Sequence, residues 1–140
     1  MKTYTFIVKG NPKALKRHRT FVKNGIRINT DPSKGDKADF IAQIIQNAPK
    51  EPIRGAISIT MTFYFARPRS HYGTGKNADK IKLSAPDEKT TKPDLDNLIK
   101  FVLDAMNGIV FLDDSQITHI EADKNYGEGQ GTFITVYAED

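Results

Sequence analysis

One segment limits the folds open to this chain more than any other: Ala56 to Phe65, AISITMTFYF. Its apolar side chains alternate at Ile57, Ile59, Met61, Phe63 and Phe65, and a period of two puts them on one face of an extended strand. Such a face must be covered, and two stretches carry the helical spacing that can cover it. From Asp36 to Asn47, and just beyond it, apolar residues fall at 38, 40, 41, 44, 45 and 48, with Pro49 and Pro52 as stops. Leu95, Leu98, Ile99, Val102, Leu103 and Met106 mark the second helix, ended by Asn107-Gly108. Thr3–Val8, Ile117–Ala122 and Phe133–Tyr137 read as further strands, and Asn24-Gly25 between Thr20–Val22 and Ile26–Ile28 reads as a tight hairpin. At 140 residues the chain can bury one core but not two. The expectation is a single domain over residues 1–140 of class α/β (α+β), a small mixed β-sheet packed with two main helices.

The composition excludes several chemistries. There is no cysteine, so disulfides, thiolate metal sites and cysteine nucleophiles are ruled out. His18, His71 and His119 are scattered without metal-ligand spacing. MKTYTFIVKG is too short and polar for a signal peptide, and no apolar run approaches the roughly 20 residues that span a bilayer. A cytoplasmic protein without membrane association is expected. The net charge of +4 is unevenly distributed: residues 1–37 hold ten Lys/Arg against two Asp, whereas residues 83–140 hold four against twelve Asp/Glu. A basic half beside an acidic half fits a phosphate-attracting surface around a metal-binding carboxylate site, and it equally fits solvated surface charge segregated by chance.

Residues 66–92 lack apolar periodicity and carry seven Lys/Arg. A connection of that length is usually functional or mobile. It is read as a basic, mobile, substrate-facing arm, the alternatives being a passive insertion or a stretch hiding a short element.

The chemistry concentrates in KPDLDNLIKFVLDAMNG and the FLDD that follows. Residues two apart on a helix lie about 200° from each other, so Asp94 and Asp96 converge only if Asp94 sits in the extended entrance and Asp96 in the first turn. Asp113-Asp114 is expected to begin a strand, where neighbours point oppositely. At most one then faces the site, Asp114 for preference, with Asp113 an outer or alternate ligand. Three or four carboxylates without Cys or His suit a hard cation, Mg²⁺ with Mn²⁺ as a substitute. The plainer alternative is a helix cap and a turn. Lys100, four residues beyond Asp96, either serves chemistry or forms a surface pair worth roughly 0.2–0.5 kcal/mol.

The run Lys92-Pro93-Asp94-Leu95-Asp96-Asn97-Leu98, with Lys100, Asp104-Ala105, Asn107-Gly108 and Asp113-Asp114-x-Gln116-Ile117, resembles the signature of the RusA family of Holliday-junction resolvases. The resemblance is specific over residues 92–117 and extends in length and element order to the whole chain. It implies a RusA-like fold and a homodimer acting on four-way or otherwise branched DNA. It also implies Asp94, Asp96 and Asp114 as essential metal-binding carboxylates, Asp113 in support and Lys100 as the catalytic lysine. Lys13, Lys16, Arg17, Arg19, Lys23 and Arg27 are candidate phosphate contacts, followed by Arg67, Arg69, Lys76, Lys80 and Lys82 in the arm. Phe21 and Tyr72 either stack on an unpaired base or, respectively, pack in the core and sit exposed in a loop. The Ile57–Phe65 strand or the second helix is a candidate dimer surface, unless both are core.

The implied activity is Mg²⁺-dependent resolution of four-way junctions by paired symmetric hydrolysis. The rivals are a nuclease acting mainly on flaps or forks and a non-catalytic protein that binds branched DNA.

Overall fold

The computed structural model describes Met1–Glu139. Its strands are β1 (Lys2–Lys9), β2 (Arg19–Lys23), β3 (Ile26–Thr30), β4 (Ile57–Ala66), β5 (Ile117–Gly127) and β6 (Gly131–Ala138), and its helices are α1 (Lys34–Ile44) and α2 (Leu95–Met106). Four strands form one sheet in the order β1-β6-β4-β5, and β2-β3 stand apart as a two-stranded hairpin. Asn24 and Gly25 both take positive φ (53° and 77°), as the tight turn requires.

The alternation of the central strand dictates the core. Ile57, Ile59, Met61, Phe63 and Phe65 are all buried, joined by Phe6 and Val8 of β1 and Ile134 and Val136 of β6. Phe40 and Ile44 of α1 and Leu98, Phe101, Val102, Ala105 and Met106 of α2 cover this face. Phe40 and Phe101 meet edge to face at 5.7 Å, locking the two helices together. The apolar faces of β4 and α2, both candidate dimer surfaces by sequence, are therefore filled within one chain.

Most pairings are antiparallel, but β4 and β5 are parallel. Parallel neighbours need a crossover, and α2 provides it. It runs back from the far end of β4 to the start of β5, so its two ends lie at opposite ends of the sheet. Gly108 (φ 83°) follows the last turn in the left-handed conformation that releases the chain.

Two local expectations need correction. First, Asp113-Asp114 does not begin a strand. Residues 114–116 form a 3₁₀ turn, and β5 starts at Ile117. Capping explains this: the Asp113 carboxylate accepts from Ser115 N–H at 3.1 Å, and Gln116 Oε1 accepts from Asp113 N–H at 2.9 Å. Second, β5 continues to Gly127, beyond its apolar stretch, because backbone pairing with β4 persists through polar residues. Residues 66–92 hold two 3₁₀ turns, Arg69–His71 and Gly75–Asn77, and bridges Tyr72–Ile81 and Glu88–Asn125, the short elements kept open as an alternative for this stretch.

Candidate active site

At the start of α2, Asp94 is the extended N-cap residue (φ −70°, ψ 144°) and Asp96 lies in the first turn. This is the arrangement under which the two can converge. Asp94 does not cap the helix with its side chain. Its carboxylate instead meets Lys92 Nζ at 3.0 Å, and Asp96 faces Lys100 Nζ at 3.9 Å. All four side chains are substantially exposed. Acidic groups here also face the partial positive charge of the helix N-terminus.

The basic N-terminal segment crosses the same turn. Leu15 N–H donates to Asn97 O at 3.0 Å. Leu15, Lys16, Arg17, Asp96, Asn97 and Lys100 consequently line one open cleft of about 380 Å³. A larger hollow lies against Ala48–Ala56, but none of the motif's aspartates lines it. Chemistry rather than volume marks the site.

What holds the entrance in place escaped the sequence reading. Residues 87–93 lie along the outer edge of β5: Tyr126 N–H donates to Asp87 O (2.8 Å) and Lys89 N–H to Lys124 O (3.1 Å). Lys124 Nζ then donates to Thr91 O at 2.7 Å and Pro93 O at 2.8 Å, the carbonyls just ahead of Asp94. Its strand parity matches Ala122 and Tyr126, which pack towards the core. A lysine on that parity was the available signal, hidden because the strand was read as ending at Ala122.

Asp113 and Asp114 lie beyond the other end of α2. The Asp113 carboxyl is held below the usual range by hydrogen bonds from the Ser115 hydroxyl and N–H, with smaller contributions from the Asn107 side chain and Asp114 N–H; partial burial opposes them. Asp114 is exposed, and its carboxylate takes no hydrogen bond or ion pair among the described residues. The twelve residues of α2 span about 18 Å. No group of three or more acidic or histidine side chains able to hold one metal ion exists within the chain among the described residues. The structure thus brings Asp94, Asp96 and Lys100 to one end and Asp113 and Asp114 to the other.

The remaining candidates divide by exposure. Lys13, Lys16, Arg17, Arg19, Lys23 and Arg27 are exposed, as are Arg69, Lys76, Lys80 and Lys82. Arg67 differs. Its side chain is 7% exposed, bonded to Pro86 O (2.7 Å) and Asp87 (3.0 Å), and lies over the Tyr126 ring. It fastens the arm to the sheet edge. Arg69 donates to Ala78 O within the arm. Phe21 is outside the core and 46% exposed, and Tyr72 is half-buried.

An acidic helix entrance ringed by cations on a crossover α/β scaffold is the layout expected of a phosphate-handling domain. Comparison with known families makes the class specific: residues 9–137 match the family described as Endodeoxyribonuclease RusA, and the chain belongs to that family. The chain is also 34% identical over 132 residues to "Uncharacterized protein YqaN" of Bacillus subtilis (strain 168), covering 91% of each chain. The name of that relative assigns no activity. No helix among the described residues is long and apolar enough to cross a membrane.

Proposed function

We propose that this protein is a Mg²⁺-dependent endodeoxyribonuclease that resolves four-way DNA junctions by paired symmetric hydrolysis, working as a homodimer. The observation carrying this reading is the cleft in which Asp96 and Lys100 lie beside Lys16 and Arg17, next to Asp94 at the helix cap. Asp94 and Asp96, two exposed carboxylates without Cys or His company, would hold a hard divalent cation. When bound, such an ion acidifies water and offsets charge on the phosphate. Lys16 and Arg17 hold the DNA backbone without reading sequence. Lys100 places positive charge where the pentavalent phosphate gains negative charge. Water oxygen attacks phosphorus, one P–O ester bond breaks, and the departing oxygen leaves as a hydroxyl.

Asp114 enters through the partner. Mg²⁺ ligands sit about 2.1 Å from the ion, so two of them are at most about 4.2 Å apart. Carboxylates at opposite ends of α2 cannot share an ion within one chain. A two-fold dimer with its α2 helices antiparallel would set Asp114 of each protomer beside Asp94 and Asp96 of its mate. It would also give the two equivalent sites that a nearly two-fold junction demands.

The test is a labelled four-way junction incubated with and without Mg²⁺, beside flap and linear duplexes. Paired symmetric nicks that need the metal and favour the junction are expected. Preferential flap cleavage would move the activity to the rival nuclease class. Tight binding without cleavage, unchanged in Asp96→Asn, would make the protein a binder only.

A further inference from the structure

The β2-β3 hairpin has no role in the site described above, and its surface is unusual. All its residues but Ile28 and Thr30 are exposed, and none belongs to the core. Phe21, Val22 and Ile26 are 46%, 69% and 66% exposed. The register sets Phe21 opposite Ile28, Val22 opposite Arg27, and Lys23 opposite Ile26. Each face therefore sets apolar groups beside a cation, Phe21 and Ile26 beside Lys23 on one and Val22 beside Arg27 on the other, and residues 19–30 contain no acid.

An isolated two-stranded hairpin is marginal in water, and this one is fastened at its base. Asp31, the next residue, accepts from Lys37 Nζ at 2.8 Å and from Ser33 N–H at 3.0 Å. Lys37 also pairs with Asp104 of α2, the helix that carries Asp96 and Lys100. The buried Ser33 hydroxyl accepts from Lys16 N–H at 2.9 Å, beside the cleft. The base is thus tied to the catalytic helix while the Asn24-Gly25 tip stands free.

Exposed apolar side chains on both faces of one hairpin mark a contact surface. With Arg19, Lys23 and Arg27 among them and Lys16 and Arg17 just upstream, the complementary partner is a polyanion that also offers apolar faces. A paired duplex hides its base faces in the stack; a branch point exposes them. We infer that the hairpin tip is a wedge that enters the branch point of the junction, Val22 and Ile26 covering unstacked bases while Lys23 and Arg27 hold the flanking phosphates. This inference rests on the branched-DNA reading above.

The experiment uses a four-way junction with 2-aminopurine at its centre, in EDTA, and compares the wild-type chain with Val22→Ser/Ile26→Ser. Both substitutions are on exposed positions and leave the turn and the Asp31 clamp intact. The wild type is expected to brighten the probe about threefold or more as the base unstacks, and the variant to leave it dark. In Mg²⁺ the variant should cut a fully paired junction about tenfold more slowly, yet cut one with unpaired central bases at the wild-type rate. Equal brightening by both proteins overturns the wedge. So does a variant that turns monomeric in light scattering, which would make the tip a contact between two copies. A wild type that brightens without cutting sinks the nuclease reading and leaves the wedge standing; one that cuts without brightening does the reverse.

Discussion

The two ends of α2 carry the same residue type, a close pair of aspartates, and treat it differently. At the N-terminal end neither carboxylate is engaged in building backbone structure: Asp94 leaves the helix uncapped by its side chain, and both aspartates pair with exposed lysines. At the C-terminal end Asp113 is committed to the turn that starts β5, while Asp114 beside it is free. The contrast separates carboxylates that build from carboxylates that are kept available. It also shows what a crossover does to a motif. Because β4 and β5 are parallel, the helix must traverse the sheet, and the two aspartate pairs of the motif end up at opposite ends of a helix about 18 Å long.

Conservative substitutions break this comparison most directly. Asp94→Asn, Asp96→Asn and Asp114→Asn should each lower junction turnover by about a hundredfold or more, as should Lys100→Ala, with junction affinity retained. Asp113→Asn should cost only about ten- to a hundredfold, because its carboxylate acts by holding the turn. Single-turnover cleavage beside gel-shift affinity measures both. Equal losses at Asp113 and Asp114 would erase the distinction between them.

A smaller effect sharpens the N-terminal end. Lys124→Met removes both donors to the Thr91 and Pro93 carbonyls. Mn²⁺ affinity, read by calorimetry on the metal-free protein, should fall about tenfold, while binding to a junction in EDTA stays unchanged. Unaltered Mn²⁺ affinity would reduce Lys124 to a purely architectural bond.

The mildest test concerns the clamp between the hairpin and α2. Hydrogen bonds from Lys37 and Ser33 N–H hold the Asp31 carboxyl below its ordinary 3.8, against partial burial. A depressed native pKa means that the stability it contributes is complete above 3.8 and disappears as pH falls through the lower native value. Burial depresses the Lys37 ammonium, but Asp104 and Asp31 outweigh it and raise the group above 10.5. That contribution is complete below 10.5 and fades as pH rises through the native value. Melting temperatures of Asp31→Asn and the wild type should therefore differ at neutral pH and converge towards pH 2. A constant difference down to that pH would remove Asp31 from the linkage.

Much of this was legible in the sequence. Alternation from Ile57 to Phe65 and the helical spacing from Leu95 to Met106 identified the core because burial imposes periodicity. Asn24-Gly25 identified the hairpin because few residue pairs tolerate positive φ at both turn positions. Helix pitch gave the condition under which Asp94 and Asp96 can converge, an extended Asp94 ahead of a helical Asp96, and that backbone arrangement is present. Three features were hidden. The turn at Asp113 depends on Gln116, whose Nε2 reaches Ile53 O and Gly55 O, more than sixty residues away in sequence. Lys124 acts on carbonyls about thirty residues earlier. Arg67 looked like any basic arm residue, and only the path of residues 86–93 along β5 explains its burial. Each is a tertiary contact without a local pattern.

In the proposed dimer one working site draws its carboxylates from two chains, and mixed dimers test it. Asp96→Asn and Asp114→Asn protomers, separately tagged, are co-expressed and the heterodimer purified. If Asp114 works opposite the mate's Asp94 and Asp96, both mutations fall in the same site and the other stays whole. The account therefore predicts that the heterodimer nicks one strand of a four-way junction although each parent homodimer is inert. A stable, junction-binding heterodimer as silent as its parents would contradict it.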